Sequence, residues 1–196
     1  MFAHISRQRF VRALGLACFV VGCWGWAGNA SAQSPVRSID VAYDGTTYVI
    51  TAHMFAPVTQ SIAWAVLTDF GNMAAWVPNV RQSTILKKAD RELTIEQTGS
   101  AKFGLLSFSY DSVRDIVLTP QTEIVSTQTK GEMKRQRSVM QLVPEGDGTR
   151  LEYRLELEPS ALAAAAISED RLKHDIDQQF TAIVGEMIRR KKSSGQ

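Results

Sequence analysis

Past residue 32 the chain contains no cysteine, since Cys18 and Cys23 both fall before it. The remainder forms no disulfide and offers no thiol nucleophile, so its core alone must hold it together. Histidine is nearly as scarce. His53 and His174 are the two beyond residue 32; they fall in different predicted elements, without the His/Asp/Glu spacing of a metal site. No G-x-S-x-G elbow, Walker loop or dinucleotide-binding glycine motif occurs. Charge excess is missing too. All 20 acidic residues follow residue 32, as do all but three of the 22 basic ones, so the later part is close to neutral and lacks the footprint of a nucleic-acid binder. The sequence therefore nominates no catalytic residue, no metal and no cofactor.

The first 32 residues read as a leader. Arg7, Arg9 and Arg12 form a basic start, Val11 to Val21 is an apolar core of signal-peptide length, and Ala30-Ser31-Ala32 is a small-residue cleavage site. The apolar run is too short, and too broken by Gly22, Gly25 and Gly28, to span a bilayer comfortably. The expectation is a periplasmic or secreted protein cut near Ala32. The alternative is a lipoprotein anchored at Cys23, because Val20-Val21-Gly22-Cys23 weakly resembles a lipobox.

Residues 33–45 read as a linker or early strand, with Asp44-Gly45 as a turn. Residues 46–192 read as one domain and 193–196 as a disordered tail. Thr46 to Phe55 is a half-buried strand by composition, ended by Pro57, which lacks a ladder N–H. Thr59 or Ser61 caps a helix in which Ile62, Ala65 and Val66 recur at helical spacing. Gly71 allows a break, and Asn72 to Val77 adds one more turn before Pro78.

Strands then follow at Val80–Lys88, Glu92–Ser100, Leu105–Leu118, Thr122–Thr129 and Met133–Val143. The last strand alternates most clearly: Leu151, Tyr153, Leu155 and Leu157 face one way, and Arg150, Glu152, Arg154 and Glu156 the other. After Pro159, Ser168 is a plausible N-cap. Leu172, Ile176, Phe180, Ile183, Val184 and Met187 then make one apolar stripe along a long helix. The predicted fold is α+β: a curved antiparallel sheet wrapped around a long C-terminal helix, with two short helices after the first strand.

One helix against a strongly curved sheet leaves interior volume. The aromatic set Trp64, Trp76, Phe103, Phe108, Tyr110, Tyr153 and Phe180, with Gln136, Met140 and Ile176, is the predicted lining; ordinary core packing is the competing reading for each aromatic. Lys134, Gln136 and Ser138 share strand parity with the core-like Met140 and Leu142. They point inward unless a bulge near Gly131 resets the register. Asp111 and Asp115 share a strand face but stand about 13 Å apart by the strand rise, too far for paired acid–base work. They read as outer-face charges, and Arg114 points to the opposite face. Arg189-Arg190-Lys191-Lys192 reads as a solvated helix end, with transient contact to anionic membrane headgroups as the alternative.

The chain resembles the START-like (SRPBCC) superfamily, in particular polyketide cyclase/dehydrase-like and coenzyme Q-binding START-like proteins. The carrying residues are Ala56-Pro57, Trp64 to Phe70, Trp76-Val77-Pro78, Gly131 to Lys134 and Asp147 to Tyr153, followed by the long helix. The resemblance covers about Thr46 to Arg190. It implies a helix-grip fold with a cavity between sheet and terminal helix, and a hydrophobic ligand such as a lipid, quinone or polyketide. It carries no catalytic set common to its members. The function expected is an exported binder or carrier of a hydrophobic small molecule. The alternative is a cyclase- or dehydratase-type enzyme acting in the same cavity. Nucleic acid is not expected as a partner, and the sequence identifies no protein partner.

Overall fold

A computed structural model describes residues 34–103, 106–164 and 167–195; side chains at 101–103, 106–108, 162 and 163 are not described. The leader and cleavage site lie outside the described residues. Eight strands form one antiparallel sheet: β1 Val36–Tyr43, β2 Tyr48–Ala56, β3 Val80–Lys88, β4 Glu92–Phe103, β5 Leu106–Thr119, β6 Glu123–Lys130, β7 Met133–Glu145 and β8 Gly148–Pro159. Their order is β1-β2-β8-β7-β6-β5-β4-β3. From β3 to β8 each strand therefore pairs with the next. The chain crosses between β2 and β3 through helix α1 (Gln60–Leu67) and a 3-10 helix (Phe70–Ala75). With β1 counted, these two short helices follow the second strand of the chain. A short helix α2 (Ala161–Ala164) precedes the long α3 (Glu169–Ser193).

Local chemistry explains the boundaries. The Thr59 hydroxyl accepts from the Ile62 N–H and caps α1, while Ser168 accepts from the Arg171 N–H and caps α3. Gly146 takes φ +59°, which lets Gly146-Asp147 close the β7–β8 hairpin in two residues. The inward residues of β2 and β8 are large and fully covered: Ile50, Met54, Leu151, Leu155 and Leu157 pack with Val66, Leu67, Phe180, Val184 and Met187 of the helices.

α3 packs closely on β1, β2 and α1. Its last turns are tied down by charge. The Glu186 carboxylate, almost fully buried, accepts from Arg189 and Arg190 at 2.7 Å; Arg190 also donates to Asp69 at 2.6 Å, joining α3 to the start of the 3-10 helix. Lys191 donates to the Pro57 carbonyl at 2.8 Å. Of the basic cluster, Arg190 and Lys191 are thus tied to the chain between β2 and β3, while Arg189 and Lys192 are exposed as expected of a solvated helix end.

Hydrogen bonds from Arg189 and Arg190 hold the Glu186 carboxyl down at a pKa of about 2, from an ordinary 4.5. A depressed carboxylate stabilises the fold above its unfolded pKa and loses that contribution as pH falls through its folded one. Acidification from about pH 4.5 to 2 is therefore expected to remove up to about 3 kcal/mol through this residue. In urea unfolding, Glu186→Gln should be less stable at neutral pH and show a flatter acid dependence. An unchanged pH slope would contradict the assignment.

Candidate functional site

Between the sheet and α3 lies a cavity of about 500 Å³, within the range that holds a small-molecule ligand. It opens where the inner face of the sheet changes character. Across β4 to β7 the inward positions include Gln97, Ser112, Arg114, Ser126, Gln128, Gln136 and Ser138, all lining the cavity, in place of the large aliphatics of β2 and β8. Ile95, Ile116, Ile124 and Met140 supply the apolar part of the same wall. α3 contributes Gln179, Phe180 and Ile183; α1 and the segment after it contribute Leu67, Phe70, Met73, Val77 and Asn79.

Five expected lining residues are in place: Tyr110, Gln136, Met140, Tyr153 and Phe180. The Tyr153 and Phe180 rings meet edge to face, with centroids 4.9 Å apart. Phe180 is thus both core and cavity wall, and the two roles proposed for the aromatics are not exclusive. Trp64, Trp76 and Ile176 do not line the cavity. Trp64 and Trp76 are half-buried and pack against the core from α1 and the end of the 3-10 helix. Ile176 belongs to the buried core, while Asp175, Gln179, Phe180 and Ile183 are the α3 residues turned to the cavity. The side chains of Phe103 and Phe108 lie outside the described residues.

Both readings of the Gly131 region hold in part. The β7–β8 register shifts between Met133 and Arg135. That bulge brings Met133 into the lining and turns Lys134 out, where it pairs with Glu158. Beyond it Gln136 and Ser138 face inward as alternation requires. Asp111 and Asp115 are exposed, and Asp115 accepts from Thr94 at 2.8 Å. His53 and His174 are exposed, and the described residues hold no group of metal-binding side chains.

Arg114 is the site residue that composition did not flag. Strand parity already placed it opposite the two aspartates, and the register sets it between Ile95 of β4 and Gln128 of β6. Its Nε is buried with no hydrogen-bond partner. Burial draws its pKa down, countered by the Tyr153 and Tyr110 phenols. Burial raises both phenols. At Tyr153 a hydrogen bond with Ser138 and the Arg114 charge act the other way. Tyr110 donates to the Asn79 carbonyl at 3.2 Å.

A family model for polyketide cyclase/dehydrase and lipid transport matches residues 56–184. The chain belongs to that family. No curated protein matches it. Among solved structures it is similar to Zhui aromatase/cyclase from Streptomyces sp. R1128 (TM-score 0.63, 14% identity, covering 76% of this chain and 98% of that one). A STAR-related lipid transfer protein from Xanthomonas axonopodis gives a TM-score of 0.58 at 16% identity, covering 76% and 98%. A START superfamily protein from Mycobacterium smegmatis gives 0.57 at 14%, covering 72% and 97%. At these identities the likeness establishes the helix-grip fold, as the sequence led one to expect.

The cavity's outer end depends on a close backbone approach. Asn79 adopts φ +68° and its carbonyl accepts from both Ser100 N–H and Tyr110. Gly99 lies directly under it: a Cβ there would collide with the Asn79 carbonyl and the Tyr110 ring. Gly99→Ala should cost about 1–3 kcal/mol through overpacking, read as a lowered melting temperature. Tyr110 should also lose its hydrogen bond, visible in the tyrosine absorbance. A fully stable variant would refute this packing.

Proposed function

We propose that this protein binds and carries a hydrophobic small molecule, lipid, quinone or polyketide-like, in the cavity between sheet and α3, and that it works outside the cytoplasm after loss of its leader near Ala32. The cavity itself carries the reading: about 500 Å³ beside an aliphatic wall, in a family described by lipid transport as well as cyclisation. Burial of apolar ligand surface there contributes about 25 cal/mol per Å². The acidic groups at the cavity are otherwise engaged. Glu132 accepts from the Asp111 N–H, and Asp175 pairs with Arg171. Export rests on the leader composition alone, with the lipoprotein at Cys23 as its rival.

The second reading is a cyclase- or dehydratase-type enzyme in the same cavity. What favours it is the cation and two phenols at Arg114, Tyr110 and Tyr153, together with the similarity to an aromatase/cyclase.

Native mass spectrometry of protein isolated without denaturation separates the two. A co-purifying apolar mass, released intact on unfolding, is the expected result. A candidate substrate returned lighter by one water would instead establish the enzyme. Ser126→Phe should intrude on the cavity from the sheet side and weaken ligand retention at near-unchanged stability; undiminished retention by this variant would place the ligand elsewhere.

A further inference from the structure

The cavity holds an unmatched charge. The Arg114 guanidinium stays protonated under all working conditions, yet it makes no hydrogen bond and no ion pair among the described residues, and its Nε is buried. The residue as a whole is half-buried, and a partly desolvated cation without a counter-ion is costly. Water can fill a hydrogen-bonding position beside it but does not neutralise it. Neither carboxylate on the cavity wall pairs with it: Glu132 accepts the Asp111 N–H at 2.9 Å, which leaves its own charge unneutralised, and Asp175 pairs with Arg171 at 3.2 Å. The nearest polar neighbours by register, Gln128 and Ser112, are neutral.

We propose that the missing counter-ion belongs to the ligand, and that the cavity takes an amphiphile with a single carboxylate head, paired to Arg114, and a hydrocarbon tail laid along Ile95, Ile116 and Met140. This rests on the carrier reading above and narrows it. The register supports the division, because Ile95 lies directly across the ladder from Arg114 and Ile116 follows on the same face. A guanidinium fork matches a planar carboxylate with two parallel hydrogen bonds. The Tyr153 phenol, kept protonated by burial, is a further donor on the same wall. One cation balances one negative charge. A phosphate monoester brings about −1.5 to −2, which a wall holding one unpaired cation does not neutralise.

The test uses the full chain and the neutral dye N-phenyl-1-naphthylamine, displaced by dodecanoate, dodecanol or dodecyl phosphate below their aggregation limits. Dodecanoate should displace the dye at concentrations roughly tenfold or more below dodecanol, the size of effect that a charge-assisted pair provides. Arg114→Gln should remove that preference, so that dodecanoate and dodecanol displace the dye at similar concentrations. Arg114→Lys, which keeps the charge without the fork, should retain part of it and serves if the first variant folds poorly. Dye uptake with equal displacement by dodecanoate and dodecanol overturns this proposal alone, as does an Arg114→Gln variant that keeps the preference. Stronger displacement by dodecyl phosphate overturns the carboxylate assignment. Failure of the wild-type chain to take up dye overturns the carrier reading, and this proposal with it.

Discussion

A curved antiparallel sheet has one apolar face, and that face must be covered. Here the cover is α3, and the manner of its docking determines the rest. Val184 and Met187 are fully buried, and the helix packs closely on β1, β2 and α1. The Glu186–Arg190–Asp69 chain then joins its last turns to the 3-10 helix. Arg190 is constrained from two sides, with Glu186 on its own helix and Asp69 far away in sequence. The pairing therefore fixes where α3 ends relative to the β2–β3 crossing. A helix anchored over one side of a curved sheet cannot also close on the other, and the cavity occupies the difference.

The inner face of the sheet is written in two vocabularies that follow this division. On β2 and β8 the inward residues are Ile50, Met54, Leu151 and Leu155, which fill the space beneath the docked helix. On β4 to β7 they include Ser112, Ser126, Gln128 and Ser138, too short or too polar to fill theirs. The fully packed core is thus concentrated on β2 and β8, while Ile95, Ile116, Ile124 and Met140 belong to both core and cavity wall. Phe180 and Tyr153 stand at the boundary, and their edge-to-face contact joins core to cavity wall. Truncating either would disturb both core and cavity wall, whereas short polar residues such as Ser126 can be changed with less effect on the core.

Legibility in the sequence follows the same line. The strands, the caps at Thr59 and Ser168 and the stripe on α3 were readable because local periodicity and backbone chemistry determine them. Gln136 and Ser138 were readable by parity, but the exit of Lys134 was not: a one-residue bulge is set by pairing with β8, which no local pattern records. Trp64 and Trp76 misled for a related reason. A large aromatic is expected wherever there is apolar surface, and sequence does not say whether that surface is core or cavity. Arg114 was readable as inward-facing and was passed over, because an inward arginine flanked by two outward aspartates looks like part of a surface charge pattern. What the sheet adds is its neighbours, Ile95 and Gln128, neither of which carries a charge.

That isolation bears on how the empty protein behaves. Desolvation raises the pKa of the Tyr153 phenol, while its hydrogen bond with Ser138 and the Arg114 charge lower it. Ile95 and Ile116 around the guanidinium strengthen any electrostatic contact made there, because the local dielectric is low. The same environment penalises Arg114 when nothing answers it. A ligand that supplies the answering charge is bound only by the folded state, so its binding free energy adds to folding stability by mass action.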